Sequence, residues 1–190
     1  MSSVDPRSPL VLDTRELGRR AGSMKTYKFV APAPADLGLA MIAVPTGSEI
    51  EFDIRLESVV DGVLVSGTAL VYVAGECSRC LEPISFDMEV DLQELFEYPA
   101  TDAKGRKVEK LETDDELPKL DGDLLDLEPV LRDAVVLAFP LSPLCQPDCR
   151  GLCSECGTNL NENPDHKHET VDPRWAELSK LSTENLPEKN

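Results

Sequence analysis

Eight side chains able to bind a soft metal ion stand out in this chain of 190 residues. Cys145, Cys149, Cys153 and Cys156 lie in the run LCQPDCRGLCSECGTNLNENPDHKH, residues 144–168, which is closed by the only two histidines, His166 and His168. Cys77 and Cys80 form a pair far upstream. Thiolate and imidazole are the donors zinc prefers, and a spacing of two or three residues lets one turn aim two of them at one ion.

Three arrangements can use these ligands. Cys149-x-x-x-Cys153-x-x-Cys156 alone has the spacing that holds an iron–sulfur cluster in radical S-adenosylmethionine enzymes. That chemistry needs a large α/β barrel after the motif, and only 34 residues follow Cys156. One all-cysteine site drawn from the downstream run would leave Cys77 and Cys80 to the histidines or free. Two tetrahedral sites use all eight ligands: Cys77, Cys80, Cys145 and Cys149 in one, and Cys153, Cys156, His166 and His168 in the other. The cofactor expected is therefore zinc, as one or two structural ions. Gly151 and Gly157 flank the knuckle of the second set and allow its tight backbone.

The elements that must position these ligands are legible from hydrophobic periodicity. In EIEFDIRLE, Ile50, Phe52, Ile54 and Leu56 alternate with charged residues, the period of a strand with one buried face. Asp61-Gly62 signals a two-residue hairpin turn of type I′. VLVSGTALVYVAGE is the return strand, and Ile84, Phe86, Met88, Val90 and Leu92 alternate in a third. Cys77 and Cys80 then fall at the tip of the second hairpin of an antiparallel meander. A redox Cys-x-x-Cys would open a helix whose dipole acidifies the first thiol. Here strands flank the pair, so metal binding is the stronger reading.

DLEPVLRDAVVLAFPL predicts the main helix, with Asp126 as its cap, Glu128 and Pro129 in its first turn, and Pro140 and Pro143 ending it. Its apolar stripe is Leu127, Val130, Leu131, Ala134, Val135 and Ala138, which should pack on the meander and deliver Cys145 to the Cys77 tip. Near the N-terminus, a short strand at Leu10 to Leu12 precedes a helical turn capped by Asp13 or Thr14, and a further short helical stretch is expected over residues 36–41. Residues 99–125 read as an acidic surface loop. The expected fold is thus α+β: residues 1–150 form a core domain, an antiparallel β-meander packed by one main helix. Residues 151–190 form a small zinc-binding C-terminal lobe and tail.

Composition narrows the function. The formal charge of −17 points away from RNA or an anionic membrane as the main partner. The first thirty residues carry six bases against three acids, which makes Arg15, Arg19 and Arg20 the candidate RNA contacts. The N-terminus lacks the features of a signal peptide, and no apolar run reaches spanning length, so a cytoplasmic location without membrane attachment is expected. In a reducing compartment, close cysteine pairs are metal ligands more often than disulfides.

The segments CSRCLEPI, LEPVLRDAVVLAFPLSPLC and GLCSECGTNLN, followed by a tail of paired ligands, resemble the YceD family, which is linked to accumulation of large-subunit ribosomal RNA. The resemblance runs from about residue 10 to residue 181, and its most specific parts are residues 77–83 and 145–161. Longer members often carry Cys-x-Cys where this chain has His166-Lys167-His168. Shorter members lack the GLCSECG knuckle yet keep the other ligands, which supports dividing the eight residues into two sites. The resemblance implies a non-catalytic ribosome-biogenesis factor whose partner is a large-subunit precursor or a basic ribosomal protein, with limited rRNA contact and no small-molecule substrate. Two rival classes are a zinc-ribbon interaction module in transcription and a redox- or metal-responsive protein.

Overall fold

The computed structural model describes residues 4–99 and 117–168. The chain divides into two compact units, Met1–Cys149 and Arg150–Asn190. Among the described residues the first unit is mostly antiparallel sheet with a single helix, an α+β fold.

Its centre is the hairpin of β5 (Gly62–Glu76) and β6 (Pro83–Glu97), paired along all fifteen residues of each. On the other edge of β5 lie β4 (Glu49–Ser58) and, further along, the short β3 (Ile42–Ala43). The meander is therefore present. A fourth long strand that periodicity did not single out, β2 (Met24–Pro32), pairs with β4. Its lysines suggest a solvated basic segment, but Tyr27, Phe29 and Ala31 alternate inward while Lys28 and Val30 point out. Phe29 stacks on Phe52 with ring centroids 4.8 Å apart.

The alternation in β4 translates directly into burial: Ile50, Phe52, Ile54 and Leu56 are all within the core. In β6 it holds for Val90 and Leu92, whereas Phe86 is 36 % exposed because the inner face opens toward the hairpin tip. The helix α1 (Glu128–Ala138) lies against β6 and buries Leu131 and Val135 completely. Asp126 Oδ1 accepts from the Glu128 amide at 3.0 Å, but the residue at the cap position is Leu127. Ala138 is exposed, and Phe139, just past the helix, takes the buried place expected of it.

Several local expectations are corrected. Residues 14–22 form turns and bends rather than a helical turn, and Gly18 and Gly22 adopt φ of 71° and 88°, outside the helical region. Residues 36–41 are not helical either; Gly38 bridges Ala43 so closely that a Cβ would meet the Ala43 side chain at 2.3 Å. The first hairpin turns at Val60-Asp61, with the Val59 amide donating to the Gly62 carbonyl at 2.9 Å. Gly62 belongs to the strand, where a Cβ would lie 2.0 Å from the Phe96 carbonyl oxygen. Close approach of β6, not positive φ, is what requires glycine there.

The second half of the expected acidic loop is also ordered structure. Leu120 and Leu125 are buried, and β7 (Leu124–Asp126) pairs antiparallel with β1 (Val11–Asp13). Residues 100–116 of that loop lie outside the described residues. No helix among the described residues is long and apolar enough to cross a membrane.

Candidate metal centre

The turn between β5 and β6 is built by two backbone bonds. The Leu81 amide donates to the Cys77 carbonyl at 2.9 Å, and the Cys77 amide donates to the Glu82 carbonyl at 2.8 Å. This curl turns both thiols of Cys-Ser-Arg-Cys to one side. It requires Leu81 to adopt a φ of 62°, a left-handed conformation that costs a residue with a Cβ ~1 kcal/mol.

The chain leaving α1 meets this turn. The Ser78 amide donates to the Pro143 carbonyl at 2.8 Å, the hydroxyls of Ser78 and Ser142 lie 2.8 Å apart, and the Arg79 guanidinium donates to the Cys149 carbonyl at 2.8 Å. These bonds bring in Cys145 and Cys149. The Sγ atoms of Cys77 and Cys149 are 3.7 Å apart, and those of Cys80 and Cys145 are 3.6 Å apart. Four thiolates around one zinc, each ~2.3 Å from it, stand ~3.8 Å from one another, so the spacing is that of a tetrahedral site.

The four thiols differ sharply in acidity. Burial raises the Cys77 thiol, but the amides of Arg79, Cys145 and Cys80 outweigh it and bring the group down to about 6. Burial together with the neighbouring sulfurs of Cys80, Cys149 and Cys77 drives Cys145 up to about 12. Cys80 is also raised, the Glu82 amide that favours its thiolate being outweighed by burial and by the sulfurs of Cys77 and Cys149. One negative charge fits here unaided; four require a positive ion among them.

The second unit repeats the same turn. The Gly157 amide donates to the Cys153 carbonyl at 2.9 Å and the Cys153 amide to the Thr158 carbonyl at 2.8 Å. Gly157, at φ 72°, stands where Leu81 stands in the first turn. His166 and His168 come back to it: each Nε2 is 3.1 Å from Cys156 Sγ, and the two Nε2 atoms are 2.8 Å apart. A mixed sulfur and nitrogen tetrahedron would space these atoms ~3.4 to 3.6 Å apart, so this set is drawn in more tightly than the first. The Thr158 hydroxyl, 3.1 Å from Cys156 Sγ, and the Thr158 amide lower that thiol to about 6 against the effect of burial. Glu155 stands 3.6 Å from His168 Nδ1, while Nε2 of that ring faces Cys156 Sγ.

All eight ligands expected from the sequence are thus brought together, in two groups of four whose donor atoms lie within 4.8 Å of one another. Of the arginines expected to contact RNA, Arg15 and Arg19 line one small cleft with Thr14, Tyr98 and Asp123. Arg15 pairs with Asp13, and Arg19 pairs with Asp123 at 3.1 Å while lying over the Tyr98 ring. Arg20 is exposed. Sequence reasoning missed Leu81, Arg79, Glu155 and Thr158. Aligning CSRCLE with CSECGT would have flagged Leu81, since it places leucine where the other knuckle has glycine.

The model of the family described as large ribosomal RNA subunit accumulation protein YceD matches residues 65–182, a span that contains both ligand sets. This chain belongs to the YceD family. Its relatives include an uncharacterised protein of Mycobacterium tuberculosis, 43% identical over 92% of this chain and 82% of its own length. Another, from Mycobacterium leprae, is 37% identical over 95% of this chain and 81% of its own length. A maize protein named as a chloroplastic YCED homologue of large ribosomal RNA subunit accumulation is 29% identical over 84% of this chain, which spans 48% of the maize protein. No solved structure matches.

Proposed function

We propose that this YceD chain is a non-catalytic ribosome-biogenesis factor. It promotes accumulation of large-subunit ribosomal RNA by binding a basic ribosomal protein or an assembly intermediate, and two structural zinc ions hold it in shape. Family membership and the name of the maize relative support the link to ribosomal RNA. The observation that carries the non-catalytic reading is the convergence of Cys77, Cys80, Cys145 and Cys149 at tetrahedral spacing, because four protein ligands leave no coordination position for a substrate.

Zinc in the first site would tie the β5–β6 tip to the segment after α1; in the second, it would fold the short chain of the C-terminal lobe around Cys153, Cys156, His166 and His168. Six free thiols set in such groups suit a reducing compartment, and we place the protein in the cytoplasm. RNA phosphate would have to displace carboxylates from Arg15 and Arg19, so the acidic surface rather than the basic N-terminal segment is the main binding face.

The test is capture of the tagged protein from cells, together with the ratio of large- to small-subunit ribosomal RNA in a deletion strain. Large-subunit proteins or precursors in the capture and a fallen ratio are expected. An unchanged ratio, with ribosomal material absent from the capture, overturns the proposal, and polymerase subunits in its place would favour a transcription module.

A further inference from the structure

The outer face of the β2-β4-β5-β6 sheet combines exposed apolar side chains with carboxylates. Leu70 and Tyr72, on the central strand, are 38% and 43% exposed, and Val30 on β2 is 57% exposed. The register sets acids on both sides of them. Leu70 lies between Glu51 of β4 and Glu89 of β6, Tyr72 is opposite Asp87, and Thr68, next along the same face, lies between Asp53 and Asp91.

These acids are poorly balanced. Lys28 pairs with Asp53 at 2.6 Å, and Arg55 leans toward Glu57 at 4.0 Å. Glu51, Asp87, Glu89 and Asp91 are exposed and form no ion pair among the described residues. Asp87, Glu89 and Asp91 recur at every second residue of β6 and so share one face of that strand. Leu70 and Tyr72 stand two residues apart on the central strand with polar residues around them, and rimmed apolar patches of this kind mark interaction sites.

We propose that this face docks a basic polypeptide segment that places apolar side chains on Leu70 and Tyr72 and lysines or arginines against Glu51, Asp87, Glu89 and Asp91. The inference rests on the proposed binding of a basic partner and assigns its surface. RNA phosphates would be repelled by the same carboxylates. Spread over β4 and β6 with β5 between them, the acids are also too far apart to close on one cation; adjacent strands alone are ~4.8 Å apart.

The probe is a fluorescent synthetic peptide in which lysine and arginine alternate with leucine and phenylalanine, titrated with the full-length protein. Glu89→Lys with Asp91→Lys, and separately Leu70→Ser with Tyr72→Ser, should each weaken binding at least ~10-fold, as loss of an interface centre does. Asp61→Lys with Asp133→Lys, the same charge change on the β4–β5 turn and on α1, should leave it within ~2-fold, since rim charges contribute little. Melting curves confirm that each variant is folded. Equal loss in the Asp61/Asp133 variant, undiminished binding in the face variants, or equally tight binding of a single-stranded RNA probe overturns the assignment. Capture from cells separates the two readings. If the Glu89/Asp91 variant still recovers large-subunit material, the surface is wrong and the function stands. If the wild type recovers none while the peptide data hold, the function is wrong and the surface stands.

Discussion

Leu81 and Gly157 hold the same position in two separate knuckles, each donating its amide to the first cysteine of its pair at 2.9 Å, with φ of 62° and 72°. Only one of them is the residue that conformation favours. Leu81→Gly should therefore be at least as stable as the wild type, gaining up to ~1 kcal/mol offset by the freedom glycine has when unfolded. Leu81→Val should lose ~1 to 2 kcal/mol, because β-branching deepens the strain. Chemical denaturation of the zinc-loaded protein measures both, and a Leu81→Gly protein less stable than Leu81→Val would disprove this account of the turn.

Two zinc ions per chain should be found by elemental analysis, falling to one in Cys77→Ser and to one in Cys153→Ser, since the two ligand sets share no residue. Chelation should destabilise the first unit by several kcal/mol, because structural zinc binding is folding free energy, on the order of 10 kcal/mol or more in small zinc domains. A Cys77→Ser protein that keeps two ions would show that the hairpin tip is no part of a site.

Truncation after Cys149 should leave a folded protein with one zinc, because the first ligand set lies wholly within Met1–Cys149. Circular dichroism and metal content check this. Loss of the β-sheet signal on truncation would mean that the C-terminal residues complete the core.

Leu131→Ala should cost ~2 to 5 kcal/mol, as for other fully buried leucines, because its side chain fixes α1 to the sheet. Leu137→Ala, at a site 85% exposed on the same helix, should change stability by less than ~0.5 kcal/mol. Urea midpoints of the two variants test the direction in which α1 faces.

The Arg15 guanidinium and amide beside Asp13 hold its carboxyl down at about 2, against an ordinary 3.8. A depressed carboxyl stabilises the fold above its unfolded value and loses that contribution as pH falls through the folded one. The stability difference between wild type and Asp13→Ala should thus be small but constant near neutrality, and should shrink from about pH 4 to about pH 2. A difference that grows on acidification would contradict the pairing.

Much of this protein is local in origin and so could be read from the chain. Alternation in β4, β5 and β6 sets which face is buried, the stripe from Leu127 to Val135 sets the face of α1, and the paired cysteines need only a tight turn to act together. β2 was concealed because Lys25 and Lys28 make it look like a basic patch until Phe52 and Ile54 are beside Phe29 and Tyr27. β7 was concealed because three residues form a strand only when β1 supplies the opposite hydrogen bonds. Gly62 looked like a turn residue, yet what requires it is the Phe96 carbonyl, 34 residues away in the chain. Tertiary structure alone decided that Cys77 and Cys80 meet Cys145 and Cys149, and that Glu51 and Glu89 stand on either side of Leu70. Both depend on strand register and on the path of α1, and those are settled by which apolar surfaces can be buried together, not by the identity of any ligand or acid.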